Sequence, residues 1–253
     1  MLKKIARFFG TSFLSLGLTL LLVGFFVLGL YAGLDDFKAG LPGVVQDSLR
    51  EYGAERLIAE SPELQQAAQL CRVNPGLKEC EQLEAFQQDP AILLEQPQFQ
   101  EQYQQFQQQI DLAIEQAEQY REQTQLAFYG GIGLLFFGIL LVWFGSAGFL
   151  AAGKTLGWSL GFSGLFSFLL YQYGLPAGLD VAGKQLLENL TGSLSGLYGI
   201  LADHAYLYVV GFVQEGLTRV AYLALGIMVA GLALWMICWV VEKQRFKKAV
   251  TRK

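Results

Sequence analysis

The sequence predicts an all-α membrane protein, with four transmembrane helices and an extracytoplasmic helical domain between the first and second spans. Three observations predict it. The chain of 253 residues is 53% hydrophobic and only 16% charged, with mean hydropathy +0.36, too apolar for an ordinary soluble domain. Four runs without Asp, Glu, Lys or Arg, at 8–34, 126–153, 155–179 and 220–241, each reach the roughly 20 residues that a helix needs to cross a bilayer. Between the first two runs, over 35–125, the composition turns abruptly from Leu, Phe and Gly to Gln and Glu.

Segment 1–34 begins with Lys3, Lys4 and Arg7 and continues into an apolar run longer than the roughly 7 to 15 residues of a signal-peptide core. No small-x-small cleavage site closes the apolar run ahead of Asp35, so the segment reads as a cytoplasmic N-terminus and a retained first transmembrane helix. Orientation follows from the basic residues, which stay on the cytoplasmic side of short flanks. With both termini inside, the inner segments hold Lys3, Lys4, Arg7, Lys154, Lys243, Arg245, Lys247, Lys248, Arg252 and Lys253 against a single acid, Glu242. Trp143, Trp158, Trp235 and Trp239 then fall toward inner helix ends, and Tyr31, Tyr129, Tyr171, Tyr173 and Tyr222 toward outer ends, where amphipathic rings sit at the headgroup level. The expected location is the plasma (cytoplasmic) membrane, multi-pass, with both termini cytoplasmic.

The ectodomain, 35–125, reads as short helices punctuated by Pro42, Pro62, Pro75, Pro90 and Pro97, because β-branched residues are scarce and strict alternation is absent. Ser61 and Pro62 look like an N-cap followed by proline at the first helical position. Cys71 and Cys80 flank an Asn-Pro-Gly turn that folds the chain back. In an oxidising outer compartment they are expected to form a disulfide that contributes about 2 to 3 kcal/mol by loop-closure entropy. After Pro97 a seam of Phe99, Tyr103, Phe106, Ile110, Ala113, Ala117, Tyr120 and Thr124 alternates spacings of four and three, the pattern of a coiled coil. Counting by sevens from Tyr103 leads through Ile110, Ala117 and Thr124 to Gly131, Gly138 and Gly145, which predicts one continuous helix from about Gln98 to about Gly148.

Segment 126–179 holds the second and third spans, joined by a very short inner loop at Lys154. Gly10, Gly17 and Gly24 give the first span the same seven-residue glycine period as Gly131, Gly138 and Gly145, so each helix carries a groove on one face. In the third span Gly153, Gly157 and Gly161 overlap as small-xxx-small motifs, which favour close helix crossings. Segment 180–219 is expected to hold outer helices: an amphipathic one with Leu179, Ala182, Leu186, Leu187 and Leu190 on one face, then a helix over 197–213 lying on or dipping into the outer leaflet. Asp203 and His204 at its centre make a full crossing costly. Segment 220–253 is the fourth span and the basic cytoplasmic tail.

Several function classes drop out. One histidine and three cysteines cannot build the three- or four-ligand cages of zinc, haem or iron-sulfur sites on this chain alone, and a net charge of −4 argues against nucleic acid as a partner. The spans offer no ionisable group for catalysis or coupled transport at bilayer depth. Ser12, Ser15, Thr19, Ser159, Ser163 and Ser167 are read as bonding back to their helices or across a helix contact, and Cys238 as a small packing residue. Asp203 and His204 are adjacent, about 100° apart on a helix, so neither orients the other for catalysis. The four-span outline resembles claudin-like proteins, but the ectodomain has no Trp before its cysteine pair and is Gln-rich where theirs is β-stranded, so no family is assigned. What is expected is a non-enzymatic protein without cofactor or metal. It would act as a scaffold or assembly component that, through its ectodomain and glycine-faced helices, forms a homo-oligomer or binds another membrane or extracytoplasmic protein. The alternative is an oligomeric small channel or transporter with an acidic outer vestibule.

Overall fold

The computed structural model describes residues 2–60, 62–74, 77–95, 97–191 and 197–250, and every regular element among them is helical. In order they are α1 (Leu2–Ala32), α2 (Leu34–Tyr52), α3 (Ala54–Glu60), α4 (Pro62–Val73), α5 (Lys78–Gln88), a 3₁₀ turn (Pro90–Glu95), α6 (Pro97–Gln119), α7 (Arg121–Gly145), α8 (Phe149–Leu169), a π-helical turn (Leu170–Gly174), α9 (Leu175–Thr191) and α10 (Leu197–Val250). Among the described residues three helical stretches are long and apolar enough to cross a membrane: Leu2–Ala32, Ile110–Gly145 and Ile200–Arg245, with hydropathies of 2.5, 2.1 and 2.3. α8 is not among them, because glycine, serine, threonine and Lys154 dilute its leucines and phenylalanines.

The chain divides into two compact units. The first comprises Met1–Ala32, Glu118–Gly178 and Val213–Lys253, the second Gly33–Ala117 and Leu179–Phe212. Three local expectations change. The predicted continuous helix is interrupted at Tyr120: α6 stops at Gln119 and α7 starts at Arg121, although Tyr120 itself keeps helical dihedrals of −86° and −6°. The turn between the second and third apolar runs lies at 146–148, ahead of Lys154, which falls inside α8. Ser146, Ala147 and Gly148 supply a small-residue hinge there, with Gly148 at φ 158° and ψ 172°. Finally, the expected outer helix over 197–213 and the expected fourth span are one helix, α10. No proline interrupts it, and the stretch between them is helix-supporting: Thr218 donates to the Gln214 carbonyl at 2.8 Å and Arg219 pairs with Glu215 at 2.6 Å.

In the second unit the prolines act locally. Pro62, Pro90 and Pro97 open helical elements, where the missing N–H is not needed, whereas Pro42 sits inside α2 and does not end it. α2 ends instead at Gly53, whose φ of 83° lets its N–H return to the Leu49 carbonyl. Ala54, Leu83 and Phe86 form a small buried core with Leu57, Ile58, Leu64, Ala68 and Cys71 packed around it. Cys71 and Cys80 stand at disulfide-bonding separation, Cα atoms 5.4 Å apart, and tie α4 to α5. Ser61, Pro75 and Gly76, from the predicted cap and turn, lie outside the described residues.

Polar contacts extend this frame. Arg50 grips Asp89 with two hydrogen bonds of 3.2 and 3.1 Å, and the Ala91 amide donates to the same carboxylate at 3.1 Å. The charge-assisted bonds from Arg50, then the Ala91 amide, hold the Asp89 carboxyl below its ordinary value of 3.8. Lys38 meets Asp111 at 2.5 Å. The Tyr208 hydroxyl donates to the Phe37 carbonyl at 2.9 Å while its ring stacks on Phe37 at 5.0 Å, over Gly40, where any side chain would collide with the phenol. His204 presents Nε2 to Glu51 at 3.0 Å and Nδ1 to the Ile200 carbonyl at 3.1 Å.

Candidate functional site

The first unit is built on glycine. Gly10, Gly17 and Gly24 of α1 meet Gly138, Gly131 and Phe128 of α7 in that order, so the two helices run antiparallel. The approach is backbone to backbone: a Cβ added at Gly17 would lie 2.8 Å from the Gly131 carbonyl oxygen, and one at Gly138 would lie 2.8 Å from the Leu14 amide. Gly145 sits equally close to the Arg7 amide and the Lys3 carbonyl. Losing the Cβ at a constant seven-residue period opens a groove the full length of each helix, and backbones that close gain Cα–H···O contacts as well as dispersion. Leu14, Leu18, Leu22 and Val142 fill the remaining space and are buried.

A second interlock joins α8 to α10. Gly157 faces the Gly231 carbonyl and Trp235 amide, Gly164 faces Ala224 and Met228, Gly161 faces Leu232, and Gly153 faces the Cys238 thiol. On α10 the matching positions are Leu217, Ala224, Gly231 and Cys238, all buried and seven residues apart. Sequence reasoning missed this ladder, because alanine and cysteine do not stand out as glycine does; counting by sevens from Gly231 would have found it.

Between α1, α8 and α10 lies an open groove of about 920 Å³. From α1 it takes Lys4, Arg7, Phe8, Thr11, Ser12 and Ser15, one helical stripe. From α8 it takes Lys154, Thr155, Trp158, Ser159, Phe162 and Ser163, and from α10 Trp235. Its hydroxyls bond inward: Thr11 and Ser12 donate to the Phe8 carbonyl at 2.8 and 3.1 Å, and Thr155 to the Ala151 carbonyl at 3.0 Å. Ser163 donates across to Ser15 at 3.3 Å. At the other end sit the cations. Lys154 is ion-paired with Glu242, whereas Lys4 and Arg7 make no ion pair among the described residues. Among the described residues, no carboxylate, histidine or cysteine lines the groove. Among the described residues no set of three or more metal-ligating side chains converges either.

The seam residues are not all brought together. Phe99, Tyr103, Phe106 and Ala113 lie in α6, but their side chains fall outside the described residues. Ile110 and Ala117 are half-buried, and Tyr120, in the helix break, is 60% exposed. Leu186, Leu187 and Leu190 of the amphipathic face likewise have side chains outside the described residues. Compared with known protein families, curated proteins and solved structures, the chain matches none.

Proposed function

We propose that the protein is a non-enzymatic, four-span protein of the plasma (cytoplasmic) membrane, with both termini cytoplasmic and 35–125 outside, acting as an assembly component. The observation that supports this reading best is the pair of glycine interlocks, α1 with α7 and α8 with α10. They make a tightly packed body whose outward side chains are bulky and apolar, among them Phe136, Phe144, Phe162, Phe166, Met236 and Ile237, each more than half exposed. That is the surface expected against lipid, where close packing rather than the hydrophobic effect holds helices together. α8, below the hydropathy of the other three, crosses as part of this body because its glycines are covered by α10. Since the glycine faces are occupied within the chain, association with a second copy or with another membrane or extracytoplasmic protein falls to the outer domain.

The test is impermeant thiol labelling of single introduced cysteines, combined with the mass of the detergent-extracted particle. A cysteine at Glu60 should label from outside intact cells and one at Ala249 should not. Labelling of Ala249→Cys from outside would overturn the topology. A particle containing only one 28.0 kDa chain and no partner would overturn the assembly role.

A further inference from the structure

We infer that the groove between α1, α8 and α10 holds the headgroup of one anionic phospholipid that carries hydroxyls in addition to its phosphate. The inference rests on the proposed four-span topology, which puts the Lys4 and Arg7 end at the cytoplasmic leaflet.

Charge is the first argument. Lys154 is answered by Glu242, but Lys4 and Arg7 have no acidic partner among the described residues and stand at the mouth of a groove that no carboxylate lines. A guanidinium fork matches phosphate oxygens in a bidentate way and an ammonium adds a point charge beside it. Basic pockets between helices on the cytoplasmic side bind phosphate headgroups for this reason.

Depth is the second. The α1 stripe from Lys4 to Ser15 rises about 16 Å at 1.5 Å per residue, about half of a 30 Å hydrocarbon core. The groove therefore has the length of one leaflet, with Ser15 and Ser163 bonded to each other at its deep end.

The third argument is the direction of the hydroxyl bonds. Thr11, Ser12 and Thr155 spend their protons on Phe8 and Ala151 carbonyls, so toward the groove their oxygens can only accept. A glycerol or inositol headgroup brings O–H donors to meet them. A choline headgroup brings a second cation and no donor, and would face Lys4 and Arg7 with its own positive charge.

The experiment uses the full-length protein in detergent micelles, with retained lipid counted by native mass spectrometry. The probes are dioleoyl phosphatidylglycerol, phosphatidylcholine and phosphatidic acid, and inorganic phosphate. Wild type should retain one phosphatidylglycerol at least tenfold more tightly than phosphatidylcholine, and more tightly than phosphatidic acid. Lys4→Gln with Arg7→Gln should abolish that preference. Because removing basic residues can also disturb insertion, Ser12→Leu with Ser159→Leu serves as the second variant. It fills the groove, keeps every charge, and should lose the same tenfold. Equal retention of phosphatidylglycerol and phosphatidylcholine, or a preference that survives groove filling, would overturn the site. Equal retention of phosphatidic acid would overturn the hydroxyl complement, and displacement by millimolar inorganic phosphate would make the ligand a soluble anion instead. The labelling pattern is read in parallel on intact cells that express Ala249→Cys in the wild-type and groove-filled backgrounds. External labelling at Ala249 together with a preference lost on groove filling would overturn the topology and the inner-leaflet assignment while keeping the lipid site.

Discussion

Replacing Gly17 by alanine tests the α1–α7 interlock at the middle of its glycine row. The new Cβ would lie 2.8 Å from both the Gly131 carbonyl oxygen and the Leu135 amide nitrogen, and 3.1 Å from the Leu134 Cβ. Ordinary contact begins at 3.4 Å, so the facing backbone must retreat by at least about 0.6 Å. A side chain could swing away; a helix backbone flanked by Gly138 and Phe128 contacts cannot move alone. Overpacking of this kind typically costs about 1 to 3 kcal/mol, partly masked because alanine is the better helix former by about 1 kcal/mol. Gly133→Ala removes the mask: it lies in α7, gains the same propensity, and its Cβ would meet nothing within 4 Å. The difference between the two variants isolates the overpacking. It should appear as a gap of roughly 2 to 12 °C in thermal midpoint for a chain of this size, Gly17→Ala being the lower. The assay is thermal unfolding followed by circular dichroism in one detergent at one protein concentration. Equal midpoints would mean that the α1 and α7 backbones do not meet there, and the glycine period would lose its structural meaning.

Two further outcomes follow from the second unit. Asp89 is held below its ordinary pKa by Arg50 and the Ala91 amide, so its contribution is fully present above the unfolded value near 3.8 and is lost as pH falls through the lower folded one. Asp89→Asn should therefore lower the thermal midpoint at neutral pH, with the gap to wild type closing as the pH falls below that unfolded value; a gap independent of pH would refute the assignment. Closing the Cys71 to Cys80 loop should stabilise the unit by about 2 to 3 kcal/mol. A non-reduced digest should yield the linked peptides, and Cys71→Ala with Cys80→Ala should melt earlier than oxidised wild type; free thiols in protein shielded from reduction would contradict it.

Helix content and the glycine faces are legible in the sequence because both are local signals. A missing Cβ every seven residues marks the same face whatever surrounds it, so Gly10, Gly17 and Gly24 declare a groove of the same period as Gly131, Gly138 and Gly145 by spacing alone. Helix boundaries are less legible where charge serves as the marker. Lys154 reads as a turn residue, yet α8 carries it, because its ammonium finds Glu242 from the far end of the chain. Asp203 and His204 suggest a separate surface helix. Their polarity limits where the helix can lie, but helix breaking needs proline or glycine geometry, and Gly211 and Gly216 remain helical within α10. The groove illustrates a different limit. Each hydroxyl stripe shows in its own helix, but that the two face one another depends on tertiary packing no single periodicity encodes.

The partnership of α1 with α7 sets the order in which the chain can mature. When α1 is complete at Ala32, the last glycine that will cover it, Gly145, is still 113 residues from being made. At roughly 5 to 20 residues per second, that leaves the α1 groove without its intended neighbour for about 6 to 23 seconds. Closing so long a span costs on the order of 4 kcal/mol in chain entropy, though doubling its length would add only about 0.6 kcal/mol. The interlock is therefore tolerant of how long the intervening segment is and intolerant of what approaches α1 first. Any other small-residue helix present during those seconds competes for the same exposed backbone, which makes synthesis rate and the crowding of newly inserted chains determinants of yield.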